Sequence, residues 1–237
     1  EHIGEINSLE FKDVSFAYNN SPDSFKVGPL NFQVSKGDII FVIGGNGSGK
    51  STLSKVITHH YLPTSGDVFV NNKKVNELNI LSVRERISAI YTNFHLFTEM
   101  LGEYKEEKIH EYLLDLGLQS KVTFKNGKFS TINLSDGQKK RLALLVALMN
   151  NSDIYLLDEW AADQDPEFKD VFYRKILKEM KNNGKLIIVI THDDHYFDIA
   201  DRFLIMRDGS ISQVDNNDDN LKSSMALLGA KFKDMSV

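Results

Sequence analysis

Three stretches of the chain carry residue types that could do chemistry together. The first reads Gly44-Gly45-Asn46-Gly47-Ser48-Gly49-Lys50-Ser51-Thr52 and fits the pattern G-x-x-x-x-G-K-[ST]. Glycines let a backbone turn tightly and bring its N–H groups up to phosphate oxygens, and the helix start that follows adds partial positive charge. Gly44, Asn46, Gly47, Ser48, Gly49 and Thr52 would then surround a triphosphate, with Lys50 on its β- and γ-phosphates. Ser51 would offer its hydroxyl to Mg²⁺. A glycine-rich turn without chemical use is the alternative, and four fixed positions in the right context weigh against it.

The second stretch, Ile154-Tyr155-Leu156-Leu157-Asp158-Glu159, is an apolar run ending in two acids. Beside a bound triphosphate, an acid at the end of a neighbouring strand holds Mg²⁺, and Asp158 is the candidate. Glu159 sits where it could take the proton of an attacking water. Ordinary exposed acids at a strand end are the bland reading. The third stretch is Leu134-Ser135-Asp136-Gly137-Gln138, opening a helical pattern. Ser135-x-x-Gln138 fits a capping box, which explains both residues without a ligand. A helix start with a hydroxyl and a glycine backbone is also a γ-phosphate receptor, so Ser135, Gly137 and Gln138 stay open to both readings.

These residues need elements to hold them. Residues 38–43 are a short apolar run with β-branched residues, a buried strand, and Leu53, Val56 and Ile57 suit a following helix. The alternation Leu9, Phe11, then Val14, Phe16, Tyr18 predicts a strand, as does Leu30, Phe32, Val34. Residues 67–70 before Asn71-Asn72 make a hairpin, and 87–91, 154–157, 186–191, 202–207 and 210–214 read as further strands. Helices are expected over 97–118, 136–150 and 166–181, with Pro166 near a helix start and 123–133 as a polar loop. The run 215–220 is rich in Asp and Asn but lacks the spaced ligands of a calcium loop, so it reads as a solvated turn.

The totals narrow the class. A chain of 237 residues with 41% hydrophobic and 26% charged residues has ample material for a globular core. A formal charge of −5 gives no long-range attraction to nucleic acid or anionic membrane. The absence of cysteine excludes disulfides and thiolate chemistry. No apolar run approaches the ~20 residues of a spanning helix.

Together, residues 44–52, 134–138, 154–159 and His192 resemble the nucleotide-binding domain of ABC ATPases, in the family's order and over nearly the whole chain. Residues 134–145, 157–166 and 191–197 further resemble the bacterial cyclic-peptide and siderophore exporter branch. The resemblance implies an α/β fold: a RecA-like P-loop core with an antiparallel β-rich N-terminal region and a helical signature subdomain. The core would comprise 1–92 and 152–214, the helical subdomain 93–151, and a tail 215–237. It implies Tyr18 as the aromatic on adenine, with Phe16 as rival, Asp165 as the D-loop acid, and His192 as the switch histidine on the γ-phosphate. His59 and His60 are expected at the surface or as cap residues.

The chain departs from the family pattern at three places. Asp136 stands where the signature usually has glycine. Thr92 stands where a metal-touching glutamine is expected, with Asn93 as the alternative. Trp160, the sole tryptophan, follows Glu159 where a small residue is common. The implied function is ATP hydrolysis with Mg²⁺, driven by head-to-tail pairing of two copies and powering an exporter. Its transmembrane domain would be fused N-terminally, placing this part on the cytoplasmic face of the bacterial inner membrane. No nucleic-acid partner and no membrane insertion by this part are expected. The rival readings are a soluble ABC-type ATPase acting on nucleic acid or ribosomes, and a P-loop kinase in which Ser135 and Gln138 are only a cap.

Overall fold

The computed structural model describes residues 2–19, 24–100 and 102–216. The expectations for the tail beyond 216 and for most of the turn at 19–24 lie outside those residues. In chain order come strands β1 (Ser8–Ala17), β2 (Lys26–Ser35) and β3 (Ile39–Gly44), helix α1 (Lys50–Ile57), and strands β4 (Ser65–Val70) and β5 (Lys73–Lys74). Helix α2 (Ile80–Arg84), strand β6 (Ile87–Ile90), helix α3 (Glu106–Asp115) and the short strands β7 (Phe124–Lys125) and β8 (Lys128–Phe129) follow. Then come α4 (Asp136–Met149), β9 (Ile154–Asp158), a 3₁₀ turn (Trp160–Asp163) and α5 (Pro166–Asp170). A π turn (Val171–Ile176) carries α5 directly into α6 (Leu177–Asn182). Strand β10 (Leu186–Ile190), a second 3₁₀ turn (Asp194–Ile199) and the strands β11 (Arg202–Arg207) and β12 (Ser210–Asp215) complete the series.

The organising layer is a six-stranded sheet in the order β12-β11-β3-β10-β9-β6. It is parallel except for the edge strand β12. Its central strands are apolar on both faces because both faces are covered. Ile39, Phe41, Ile43, Tyr155, Leu157, Ile187 and Val189 point into a core shared with α3, α4 and the 166–182 helix. Ile40, Val42, Leu156, Ile188 and Ile190 point the other way, into a core shared with α1 and the N-terminal strands. The period-2 alternation of side chains thus feeds two cores from one strand.

The second sheet has the order β2-β1-β4-β5 and is antiparallel. The alternation in β1 changes phase between Phe11 and Val14, where the pairing register shifts and Asp13 adopts φ 50°. This bulge lets both Phe11 and Val14 face the core, three residues apart. Asn71 and Asn72, with φ of 49° and 62°, make the tight hairpin that joins β4 to β5.

Three expectations are corrected or narrowed. Helix covers only Glu106–Asp115 of the span 97–118. Residues 98–100 instead run along the β7–β8 hairpin: the Met100 N–H donates to the Gly127 carbonyl, the Phe129 N–H donates to the Thr98 carbonyl, and Glu99 pairs with Lys128. The stretch 123–133 is therefore not all loop. Its Asn126-Gly127 dipeptide, with φ of 52° and 79°, is the hairpin turn, and Phe124 and Phe129 on either side are buried. His59 is buried, which removes the surface alternative and leaves the cap. It follows α1 with φ 58°, and its Nδ1 lies 3.1 Å from the Val56 carbonyl.

Candidate functional site

Strands β3, β9 and β10 end side by side, and the loop after β3 turns there into α1. Glycine is required along this loop. A Cβ on Gly44 would lie 2.5 Å from the Met206 carbonyl, and Gly49 holds φ 108° against Val27, Met206 and Phe25. No described side chain caps the N-terminus of α1 at Gly49. Its first N–H groups therefore face a cleft of about 410 Å³. The lining comprises residues 46–52 with Phe25, Thr92, Asp158 and Glu159. The Lys50 ammonium donates to the carbonyls of Gly44 at 2.8 Å and Gly45 at 3.1 Å. Burial pushes its pKa down, and the nearby Glu159 and Asp158 charges oppose that. Ser48 Oγ is buried without a hydrogen-bond partner among the described residues.

Asp158 closes β9, in register with Ile190 at the end of β10. Burial, reinforced by the neighbouring Glu159 charge, pushes its pKa up to about 6, against the pull of Lys50, Lys55 and Lys140. Glu159 takes φ 51°, a left-handed backbone that costs a non-glycine residue about 1 kcal/mol or more. Its N–H donates to the Ile190 carbonyl at 3.0 Å, and its own carbonyl accepts from Lys140 at 3.1 Å. These bonds turn the side chain toward His192, whose Nε2 lies 3.2 Å from Glu159 Oε1. Burial and the Lys50 charge lower the His192 pKa. A neutral imidazole placed this way carries its proton on Nε2 and donates it to the carboxylate.

The helix start at 135–138 is built differently. Ser135 Oγ accepts from the Gln138 N–H at 3.4 Å, and Gln138 Oε1 accepts from the Ser135 N–H at 3.2 Å, a closed capping box. Asp136 is 88% exposed at its side chain and pairs with Lys139 at 3.4 Å. It points into solvent on the first turn, where an acid suits the helix dipole. The Gly137 carbonyl accepts from Gln164 at 3.0 Å. Among the described residues, the lining of the 44–52 cleft includes none of Ser135, Gly137 or Gln138.

The family model for the ABC transporter matches residues 27–162, more than half of the chain. The chain belongs to the ABC transporter family. Its fold is the ATP-binding cassette, the unit that binds and hydrolyses ATP. It is 40% identical to the ATP-binding protein SyrD of Pseudomonas syringae pv. syringae, over 89% of this chain and 39% of SyrD. To the energy-coupling factor transporter ATP-binding protein EcfA1 of Mycoplasma pneumoniae it is 31% identical, over 93% of this chain and 83% of that protein. In fold it is similar to a bacterial Atm1-family ABC exporter solved with ATP bound, with a TM-score of 0.83 at 19% identity. That likeness covers 99% of this chain and 43% of the exporter. A dimeric bacterial ABC transporter cassette gives a TM-score of 0.74 at 22% identity, covering 89% of this chain and 99% of that one. The chain thus spans about two fifths of SyrD and of the solved exporter chain.

Other residues of the cassette fall into place around this geometry. Tyr18 is 57% exposed, and its hydroxyl lies 2.9 Å from Thr52 Oγ1 beside the cleft. Phe16, its rival, is stacked on Tyr61 at 4.7 Å, so one ring face is already covered. Phe25 lines the cleft and was not singled out from sequence, since a lone aromatic before a strand carries no pattern. Thr92 lines the cleft together with Asp158. Asp165 caps α5, accepting from the Phe168 N–H at 3.1 Å, and pairs with Arg141 of α4 at 3.0 Å. Arg141 also donates to Gln164 at 2.7 Å and lies over the Phe168 ring at 3.2 Å. Sequence reasoning missed Arg141 and Gln164, because a basic residue on a helix usually reads as solvated surface.

Proposed function

We propose that this cassette powers an exporter by binding ATP at residues 44–52 and hydrolysing it once a second copy closes over the site. The observation that carries the reading is the Glu159–His192 contact at 3.2 Å, beside a cleft that Glu159 and Lys50 both line. The donor set fits a magnesium triphosphate. Uncapped N–H groups, the Lys50 ammonium and the unpartnered Ser48 hydroxyl suit phosphate oxygens. The Ser51 hydroxyl, the Asp158 carboxylate and Thr92 suit a hard cation. Among the described residues no cluster of three or more His, Asp or Glu could hold a metal unaided, so the ion would share the nucleotide's oxygens. Bound Mg²⁺ would neutralise charge on the β- and γ-phosphates.

The residues then divide the work. Glu159 accepts a proton from water as the water oxygen bonds to the γ-phosphorus, and the bond to the β,γ-bridging oxygen breaks to release ADP and phosphate. His192 holds the Glu159 carboxylate in position and presents its ring to the γ-phosphate. Tyr18 offers an exposed ring to adenine. Ser135, Gly137 and Gln138 serve the triphosphate of the partner copy, and Asp165 lies at the contact between copies. The division of the chain is a core of 1–92 and 152–214 with a signature subdomain of 93–151.

A transmembrane domain, N-terminally fused in the full protein, would hold the cassette on the cytoplasmic face of the cell membrane. No helix among the described residues is long and apolar enough to cross a membrane. The resemblance of residues 134–145, 157–166 and 191–197 to the cyclic-peptide and siderophore exporter branch supports the exporter direction over an importer, with a peptide or siderophore as cargo. The test is ATPase rate against protein concentration. A composite site gives a greater-than-linear rise, and a strictly linear dependence from the lowest concentration would overturn the two-copy reading.

A further inference from the structure

The π turn Val171–Ile176 supplies consecutive side chains to both halves of the Glu159–His192 pair. Phe172 is fully buried and stacks on Trp160, the residue after Glu159, with ring centres 4.4 Å apart. Trp160 is itself anchored, its indole N–H donating to the Lys140 carbonyl at 2.7 Å. Tyr173 is buried next to it and reaches the residues on either side of His192. Its hydroxyl lies 2.7 Å from Thr191 Oγ1 and donates to Asp193 Oδ2 at 3.1 Å. The Asp193 N–H donates to Thr191 Oγ1 at 3.0 Å.

These bonds close a ring. The Asp193 amide donates to Thr191, the Thr191 hydroxyl donates to Tyr173, and Tyr173 donates to the Asp193 carboxylate. Each hydroxyl donates once, so the directions follow from the inventory of donors. The other carboxylate oxygen of Asp193 accepts from Lys169 on α5 at 2.6 Å. Asp193 is thus held toward the helix by groups on two successive turns, although it neighbours a residue that contacts Glu159. Asp165 begins that helix as its N-cap, with Lys169 and Tyr173 four and eight residues further on. A π turn places extra backbone in one helical turn and is frequent where a helix serves a site. Here it directs Phe172 and Tyr173 to two different loops.

We infer that Tyr173, with Lys169 and Asp193, is a positioning device that fixes the His192 loop relative to Glu159 and ties it to the segment at Asp165. Tyr173 does not line the 44–52 cleft and acts through the side chains of Thr191 and Asp193, which flank His192. The inference rests on the roles proposed above for Glu159 and His192. A displaced His192 leaves nucleotide binding at residues 44–52 intact but loosens the geometry of the step in which Glu159 takes the proton. Misplacement on the ångström scale costs on the order of hundredfold in rate.

The experiment is steady-state and single-turnover ATPase of the 237-residue chain carrying Tyr173→Phe. This change keeps the ring and removes only the hydroxyl, and thermal melting with Trp160 emission checks the packing. The expected result is kcat lowered roughly tenfold to hundredfold, with KM for ATP within about twofold. Asp193→Asn, on the loop rather than in the core, gives the same split. In a His192→Ala background, Tyr173→Phe produces no further loss, because the positioned group is gone. Unchanged kcat in both single variants, or an equal loss with and without His192, overturns the inference. If His192→Ala and Glu159→Gln both keep near-normal turnover, the roles proposed for that pair fail instead.

Discussion

Two helix starts in this molecule look alike in sequence and differ in state. Both α1 and α4 begin with small polar and glycine residues that suit phosphate. At α4 the donors are already used: Ser135 and Gln138 satisfy each other, and Asp136 stands 88% exposed in solvent. At α1 the N-cap is Gly49, with no described side chain to cap it, a buried ammonium beside it and a buried hydroxyl without a partner. Leaving the buried Ser48 hydroxyl unmet costs about 1–3 kcal/mol, a cost an incoming anion relieves. A self-capped, exposed start carries no such cost and offers only its remaining backbone N–H groups. The first is an anion site built in advance. On the function proposed above, the second would gain a ligand only when a second copy covers it.

The largest break in this comparison is expected at the strained end of the cleft. Glu159→Gln keeps the side-chain shape but removes the carboxylate proposed to take the proton. Turnover should fall roughly 10²- to 10⁴-fold while ATP binding persists and the closed dimer accumulates. ATPase assay and size-exclusion chromatography with ATP check both parts. Near-normal turnover would sink the general-base role.

A second test uses the buried charge. Asp158 has its pKa raised from 3.8 to about 6, chiefly by burial. For an acid with a raised folded pKa, folding resists ionisation. The cost is absent below pH 3.8, grows through the window from 3.8 to 6, and is complete above it. Asp158→Asn should therefore stabilise the nucleotide-free fold by about 3 kcal/mol at pH 7, and by little at pH 4. Denaturant unfolding at the two pH values reads it. Equal effects at both would show that Asp158 is not strained by burial.

Much of this was legible because each cue was local. The 44–52 loop, the acids at the end of β9 and the capping box are short patterns whose neighbours in sequence are their neighbours in space. The parallel strands announced themselves as continuous apolar runs. The hairpin at Asn126-Gly127 also had a local cue, but the polar composition of 123–133 reads as loop, and the apolar spacing over 97–118 reads as helix where residues 98–100 instead pair along that hairpin. What stayed hidden was long-range. Tyr173 meets Thr191 across 18 residues, and Arg141 meets Gln164 across 23. A tyrosine on an apolar helix face gives no sign that its hydroxyl closes a ring with a distant loop. Trp160 was visible as an oddity, but its reason, a stack on Phe172, required the fold.

The smallest effects should arise at α4, where they sharpen the contrast. Ser135→Ala removes one member of the capping box and should cost about 1 kcal/mol of stability. Asp136→Ala removes an exposed pair with Lys139 at 3.4 Å, and should shift stability by less than about 0.5 kcal/mol. Asp136 also tests how the partner site tolerates an acid. If its side chain keeps pointing outward when copies pair, Asp136→Gly should leave KM for ATP unchanged in the concentration range where turnover is greater than linear. A several-fold drop in KM would mean that the acid turns toward the triphosphate on closure, and that α4 is poised less by its cap than by repulsion.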